Sequence, residues 1–183
     1  MWLGPLAIAI VWAMFSFVYF ASDRRGHTTL SSVAASRKRN YWLFCSTLLV
    51  SGLLIFLFMK DWLIPTLELP SITMYLTFAA ALVFQPVIAI VPLGNKWQSF
   101  VHNVAAYAEC ILMPPIAVFI AQSYVLPWWV RMMCWGLIVF MIYLAAEFRR
   151  YFLKPKFIHI QAYFTASFHL IILIAFVAGA NIK

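Results

Sequence analysis

Charged residues are scarce in this sequence, and their scarcity excludes a soluble protein. Only 10% of the 183 residues are charged, while 66% are hydrophobic. A soluble domain carries about 25% charged and about 45 to 50% apolar residues, so this chain is too apolar to cover a water-facing surface. The composition therefore predicts that lipid surrounds the protein.

Cysteine is also scarce, and the three cysteines have no spacing typical of a cross-linked or metal-binding fold. Cys45, Cys110 and Cys134 each lie inside an apolar run, and the sequence contains no CxxC motif. Disulfide frameworks and structural zinc sites need paired cysteines at characteristic spacings. We therefore interpret the three as small buried apolar residues and predict no cofactor.

The excess of basic residues does not indicate a nucleic-acid-binding protein. Thirteen Lys and Arg against five Asp and Glu give a formal net charge of +8. The basic residues fall in short segments between apolar runs rather than along one face, which is typical of membrane topology signals. We expect no nucleic acid, and membrane lipids with anionic head groups as partners.

The apolar runs are long enough to cross a bilayer as helices, which takes about 17 to 25 residues. The connecting segments are short, the longest being Ser22 to Asn40, and leave no room for a soluble domain. We predict an all-α, polytopic membrane protein, a bundle of six transmembrane helices in a single domain over residues 1–183. The predicted spans are Leu3 to Ala21, Tyr41 to Met59, Ile72 to Val91, Val101 to Ala121, Val130 to Phe148 and Ile158 to Val177.

The basic residues predict the orientation of the chain, because Lys and Arg are retained on the cytoplasmic side. Both termini are expected outside a cell membrane that the chain crosses several times. The odd-numbered loops hold Arg24, Arg25, Arg37, Lys38, Arg39, Lys96, Arg149, Arg150, Lys154 and Lys156, and the other side holds only Lys60, Arg131 and Lys183.

Two spans contain proline, which lacks the backbone donor of a regular helix. Pro114 and Pro115 lie past the middle of the fourth span, and we expect them to kink or open it. Gln85 and Pro86 mark a second irregular point in the third span. Before the fourth span, Asn95 or Ser99 is the candidate helix cap.

The fourth span carries ionisable residues, which are costly inside lipid and mark candidate sites. His102 and Glu109 are seven residues apart, so they lie on nearly one stripe with Glu109 about 10 Å deeper. Glu109 has two interpretations, a hydrogen-bonded carboxyl that joins helices or a proton or cation site. His102 is either a histidine at the start of a helix or a ligand-binding residue.

The sixth span adds further polar residues, and the topology places several polar groups at one membrane face. Thr165 and His169 share a helix face, so a polar seam for packing explains them as well as a catalytic row does. We predict that the inner ends of the first, fourth and sixth spans converge and bring Ser31, Ser32, His102, Asn103 and His159 around one polar pocket. The candidate ligand-binding residues are Ser31, Ser32, Pro92, His102, Asn103, Glu109, His159 and Gln161.

Motifs for hydrolytic chemistry are missing. No HxxxH or HExxH motif occurs, and the four histidines fall on three different segments, so no metal site is predicted. A serine nucleophile is not indicated either, because the sequence has no GxSxG elbow.

Two segments resemble the domain of unknown function 998 family. Residues 27–34 (HTTLSSVA), followed by a second span with Gly52, are similar to the family's T-I-S-E-L-G loop and glycine-bearing helix. Val91-Pro92 and His102 are similar to its F-P turn and H-x-x-A helix start, although Ser32 replaces the family's glutamate. The resemblance implies a six-helix membrane fold and points to Ser31, Pro92 and His102, without a substrate. More distant similarity to proteins of lipid-anchor remodelling implies lipid as a ligand.

Three functions remain open. The sequence favours a non-catalytic protein that binds a lipid or another small amphiphile between its helices. The alternatives are a small proton-coupled transporter that uses Glu109, and a lipid-modifying enzyme at the inner interface that uses His102. The oligomeric state is not indicated.

Overall fold

All regular secondary structure in the described residues is helical. The computed structural model describes residues 1–21, 29–91, 95–151, 154 and 156–181. A π-helical turn, Met59–Leu63, joins α3 to α4. The α-helices are α1 Leu3–Ala21, α2 Leu30–Ala35, α3 Lys38–Phe58, α4 Ile64–Thr66, α5 Ser71–Ile90, α6 Lys96–Gln122, α7 Trp128–Tyr151 and α8 Phe157–Ala180.

Six helical segments of the described chain are long and apolar enough to cross a membrane. They correspond one to one with the six predicted spans, which confirms the all-α, polytopic fold. The second span is longer than predicted, because α3 continues through the π-helical turn to Thr66. The fourth begins at Lys96 rather than Val101. The protein is a multi-pass integral membrane protein.

Five of these helices form a closed ring. α1 packs against α3 and α8, α3 against α5, α5 against α6, and α6 against α8. α7 packs against both α6 and α8. About half of α8 is buried inside the bundle, more than of any other span, as expected for a helix that is apolar on all sides.

One end of the bundle is a tightly packed aromatic cluster. Phe58, Trp62 and Phe176 contact one another with ring centroids 5.1 to 6.0 Å apart. Trp2 reaches the same group, 5.2 Å from Phe176. A Cβ atom at Gly4 would lie 2.5 Å from the Phe58 ring, so α1 needs glycine there to approach α3. We call this the aromatic end, and the opposite one, which carries α2 and the start of α6, the α2 end.

The prolines do not open their helices. α6 runs unbroken from Lys96 to Gln122 through Pro114 and Pro115, and α5 runs unbroken through Pro86. Each proline removes a single backbone donor, and in a membrane bundle the neighbouring helices compensate for such a loss.

The start of α6 at Lys96 has a local cause. Asn95 Oδ1 accepts from the backbone N–H of Gln98 at 2.9 Å, which makes Asn95 the cap.

Candidate functional site

Short helix α2 fixes the position of Ser31. Thr29 caps the helix, because its Oγ1 accepts from the Ser32 N–H at 3.1 Å while the Ser32 Oγ accepts from the Thr29 N–H at 3.1 Å. This reciprocal bonding is a capping box, which holds the first turn in place. Ser32 is therefore a capping residue. The side chain of Ser31, which lies between Thr29 and Ser32 in the sequence, is not part of the capping box and contacts the helix bundle.

Ser31 is hydrogen-bonded to the buried His102 of α6. His102 Nδ1 lies 2.8 Å from the carbonyl oxygen of Val91, which only accepts, so Nδ1 carries a hydrogen and donates it. In the neutral imidazole Nε2 is then an acceptor, and the Ser31 hydroxyl donates to it at 3.0 Å. Val91 is the C-terminal cap residue of α5, so the end of α5 orients the histidine ring.

A cavity of about 130 Å³ adjoins this pair. Helices α1, α2, α3, α5, α6, α7 and α8 all contribute to its wall, and we call it the first cavity. Aromatic and aliphatic side chains supply most of the lining. The polar residues in its wall are Thr29, Ser31, His102, Asn103, Tyr107, Glu109, Gln161 and Thr165.

Glu109 lies between the first cavity and a second one. The second cavity, also about 130 Å³, is lined by all five ring helices and includes Ser51, Gln85 and His169. Glu109 and Thr165 belong to both walls. Glu109 is half-buried, and in the part of the chain that the structure describes no side chain hydrogen-bonds or ion-pairs with its carboxyl group. The two cavities are therefore neighbours, with Glu109 in the wall between them.

Hydrogen bonds hold the polar side chains around the second cavity in defined orientations. The Trp12 indole N–H donates to His169 Nδ1 at 3.0 Å, so the neutral His169 carries its hydrogen on Nε2. The Gln85 amide nitrogen donates to the Leu48 carbonyl at 3.0 Å across the α3–α5 contact. Gly52 makes room for this amide, because a Cβ there would lie 2.1 Å from Gln85 Oε1.

Gln161 contributes an unpaired acceptor to the first cavity. Its Oε1 atom is buried and has no hydrogen-bond partner among the described residues. Buried polar atoms are nearly always paired, so an orphan oxygen on a cavity wall marks a place where a ligand or water would bind. Glu109 offers further acceptors in the same wall.

A lateral groove runs along the contact between α1 and α8. Its volume is about 210 Å³, and its wall includes Trp12, Tyr19 and His159. The groove shares Phe15 and Leu30 with the first cavity, so the two spaces lie on either side of those side chains. His159 thus lines the α1–α8 groove rather than the first cavity.

The structure brings together five of the eight candidate residues. Their side chains line the first cavity, whereas Ser32 caps α2, His159 lies in the groove, and Pro92 is outside the described residues. The five are Ser31, His102, Asn103, Glu109 and Gln161. Residues that sequence reasoning did not connect to this interior are Ser51, Gln85 and Trp12; of these, Gln85 carried a signal as a polar residue inside an apolar span.

No metal site is present in the described chain. No group of three or more His, Cys, Asp or Glu side chains there is arranged to hold a metal ion, and His27 and Asp23 fall outside the described residues. The first cavity carries hydroxyl, imidazole, amide and carboxyl groups.

Known proteins offer no guide to this site. No protein-family model, no curated protein and no solved structure matches the chain. The resemblance to the domain of unknown function 998 family stays a prediction that rests on short motifs.

Proposed function

We propose that this protein binds a lipid or another small amphiphile inside its helix bundle. The observation that carries the proposal is the first cavity, whose largely apolar wall contains a cluster of polar side chains, together with the neighbouring α1–α8 groove, which shares Phe15 and Leu30 with it. An amphiphile has the same two parts. Its polar group fits the cavity, and its hydrocarbon chain fits the groove, which faces the surrounding lipid.

The cavity wall favours a polar group that donates hydrogen bonds. Gln161 Oε1 has no partner among the described residues, and the Glu109 carboxyl group adds two more oxygens. Leaving a buried acceptor unpaired costs about 1 to 3 kcal/mol, and a ligand that donates to it removes this cost. Hydroxyl or ammonium groups of a lipid head group supply such donors. No Lys or Arg lies in the described wall, so a phosphate has no cationic partner there.

The groove favours an aliphatic chain. Trp12, Phe20 and Ile158 supply apolar and aromatic surface along it. Each buried CH₂ group contributes about 0.8 kcal/mol relative to water, but a chain that arrives from lipid gains little from this term. The groove therefore accepts the hydrocarbon chain of the ligand, while the polar groups of the first cavity determine which ligand binds.

We place the protein in the cell membrane, with the α2 end on the cytoplasmic side.

Lipid analysis of the purified protein tests this proposal. The full chain is purified in mild detergent, and the amphiphiles that remain bound are quantified by mass spectrometry. Leu30→Trp takes up space in both the cavity and the groove, because Leu30 lines both, and Gln161→Leu removes the unpaired acceptor. Ile142→Trp is the matched control, because Ile142 is 57% exposed on α7 and lines neither space.

We expect a defined amphiphile to accompany the wild-type protein and the Ile142→Trp control in equal amounts. Both test variants should retain at least about tenfold less, which corresponds to about 1.4 kcal/mol of binding free energy. Melting temperatures measured in the same detergent show that each variant is folded. Equal retention in folded wild-type and folded test variants would refute the proposal.

A further inference from the structure

Ser31 and His102 have the arrangement of an activated nucleophile and its base. The Ser31 hydroxyl donates to His102 Nε2 at 3.0 Å, within the range of about 2.6 to 3.2 Å that such pairs show. A third group orients the base, because the Val91 carbonyl accepts from His102 Nδ1 at 2.8 Å. The imidazole is thereby held in the tautomer that can take a proton from the hydroxyl.

The pair also lies where a ligand can reach it. Both residues line the first cavity, and Ser31 is only half-buried, so a molecule bound there lies beside the pair although His102 is only 3% exposed. A hydrogen bond that served only to fasten α2 to α6 would not need an open cavity beside it. Thr29 Oγ1 lies 3.1 Å from the Ser31 oxygen and further fixes its position.

We propose that Ser31 is the nucleophile, and His102 the base, of an acyl transfer that cleaves a carboxylic ester of the bound amphiphile. This inference rests on the proposed amphiphile binding and names the reaction at the same cavity. The Ser31 oxygen attacks the ester carbonyl carbon while His102 Nε2 takes the hydroxyl proton. The carbon–oxygen bond to the alcohol then breaks, and the alcohol leaves with that proton.

Water completes the reaction. It attacks the acyl group on Ser31, gives its proton to His102, and releases a carboxylic acid as the proton returns to the Ser31 oxygen. The overall change is one ester and one water to one acid and one alcohol, without an oxidant or reductant. Asn103 lines the same cavity, and its side-chain amide is a donor of the kind that stabilises the oxyanion formed at each attack.

Two features of the cavity favour carboxylic esters over other substrates. The partner of His102 is the neutral Val91 carbonyl, which orients the ring but stabilises a positive imidazolium less than a carboxylate does. Such a base suits an ester, whose alcohol leaves more easily than the amine of an amide. The described cavity wall also contains no Lys or Arg to bind a phosphodiester.

Covalent labelling of the wild-type protein tests the inference without relying on a variant. The full chain in mild detergent is treated with a fluorophosphonate, which reacts with activated serines, and the modified peptide is mapped by mass spectrometry. We expect the adduct on Ser31. Turnover is followed with p-nitrophenyl esters of medium chain length and with a glycerolipid ester in mixed micelles.

Three variants complete the design. Ser31→Ala removes the nucleophile, and His102→Gln keeps hydrogen-bonding groups but cannot take the proton. Ser36→Ala is the control, because its hydroxyl donates to the Val33 carbonyl at 2.7 Å and lies outside the cavity. We expect ester hydrolysis to fall about 10² to 10⁴-fold in the first two and to stay unchanged in the third.

The outcomes separate this inference from amphiphile binding. An adduct on Ser31, lost in Ser31→Ala, together with ester hydrolysis that needs His102, supports it. Wild-type protein that retains its amphiphile but gives neither an adduct on Ser31 nor ester hydrolysis overturns the inference and leaves binding intact. Hydrolysis that is equal in wild type and Ser31→Ala also overturns it.

Discussion

The contact between Gly52 and Gln85 gives the sharpest test of how the helices around the second cavity are packed. A Cβ atom added at Gly52 would lie 2.1 Å from Gln85 Oε1 and 2.8 Å from Gln85 Cδ, far inside van der Waals contact. The Gln85 amide therefore has to move in Gly52→Ala. Its hydrogen bond to the Leu48 carbonyl, 3.0 Å long, breaks or stretches as it does so.

The expected cost follows from three contributions. An interhelical hydrogen bond in a membrane protein is worth about 0.6 kcal/mol on average and at most about 2 kcal/mol. Moving the side chain off its preferred rotamer costs about 0.5 to 1.5 kcal/mol. Replacing a helical glycine with alanine returns about 1 kcal/mol. Gly136→Ala receives only the last contribution, because nothing lies within 4 Å of a Cβ there. Gly52→Ala should therefore be about 1 to 3 kcal/mol less stable than Gly136→Ala.

A double-mutant cycle isolates the contact. Unfolding is followed in mixed detergent micelles, where the folded fraction is titrated with a denaturing detergent. In the Gln85→Ala background the obstructing amide is gone, so Gly52→Ala should cost nothing more. The coupling energy between the two positions should be about 1 to 3 kcal/mol. If Gly52→Ala costs the same in both backgrounds, or is as stable as Gly136→Ala, the close α3–α5 contact is not present in the folded protein.

Two further predictions concern the ionisable interior and the orientation. The Glu109 carboxyl group has no hydrogen-bond or ion-pair partner among the described residues. Glu109→Gln and Glu109→Leu should therefore each have a free energy of unfolding within about 0.5 kcal/mol of the wild-type value. Proton-linked flux into vesicles that is present in wild type and lost in Glu109→Gln would instead favour the carrier. The orientation is tested in a variant that lacks the three native cysteines, Cys45, Cys110 and Cys134. Single cysteines introduced at the exposed positions Ser36 and Lys154 should be shielded from an impermeant thiol reagent in intact cells, whereas a cysteine at Asp61 should react with it. The opposite labelling pattern would reverse the orientation.

The six spans could be predicted because span length and hydropathy are local properties of the sequence. The bilayer requires about 20 apolar residues whatever the neighbouring helices are. Helix α2 could not be found in this way, because it has only six residues and its capping box pairs Thr29 with Ser32 rather than with Glu or Gln. Short helices take their stability from packing, and Val33 and Ala34 are buried in this one.

The sequence predicted the membrane depth of the site residues, but not which of them face the same cavity. His159 and Gln161 belong to the same end of α8, but residues two apart point about 200° away from each other around a helix. Gln161 faces the first cavity, so His159 has to face away from it, into the α1–α8 groove. The Ser31–His102 contact joins residues 71 positions apart without any shared motif, so only the packed structure could show it.

The two ends of the bundle differ in a way that bears on function. At the aromatic end Phe58, Leu63 and Ile120 are at most 1% exposed, and the second cavity stops about one helical turn short of them, at Ile55 and Ile116. A carrier needs its site to open to both sides in turn, so here it would have to unpack that cluster. The proposed binding of an amphiphile needs no such change, because in that proposal the ligand enters from the bilayer through the α1–α8 groove. The packing therefore fits the proposed binding better than it fits a carrier.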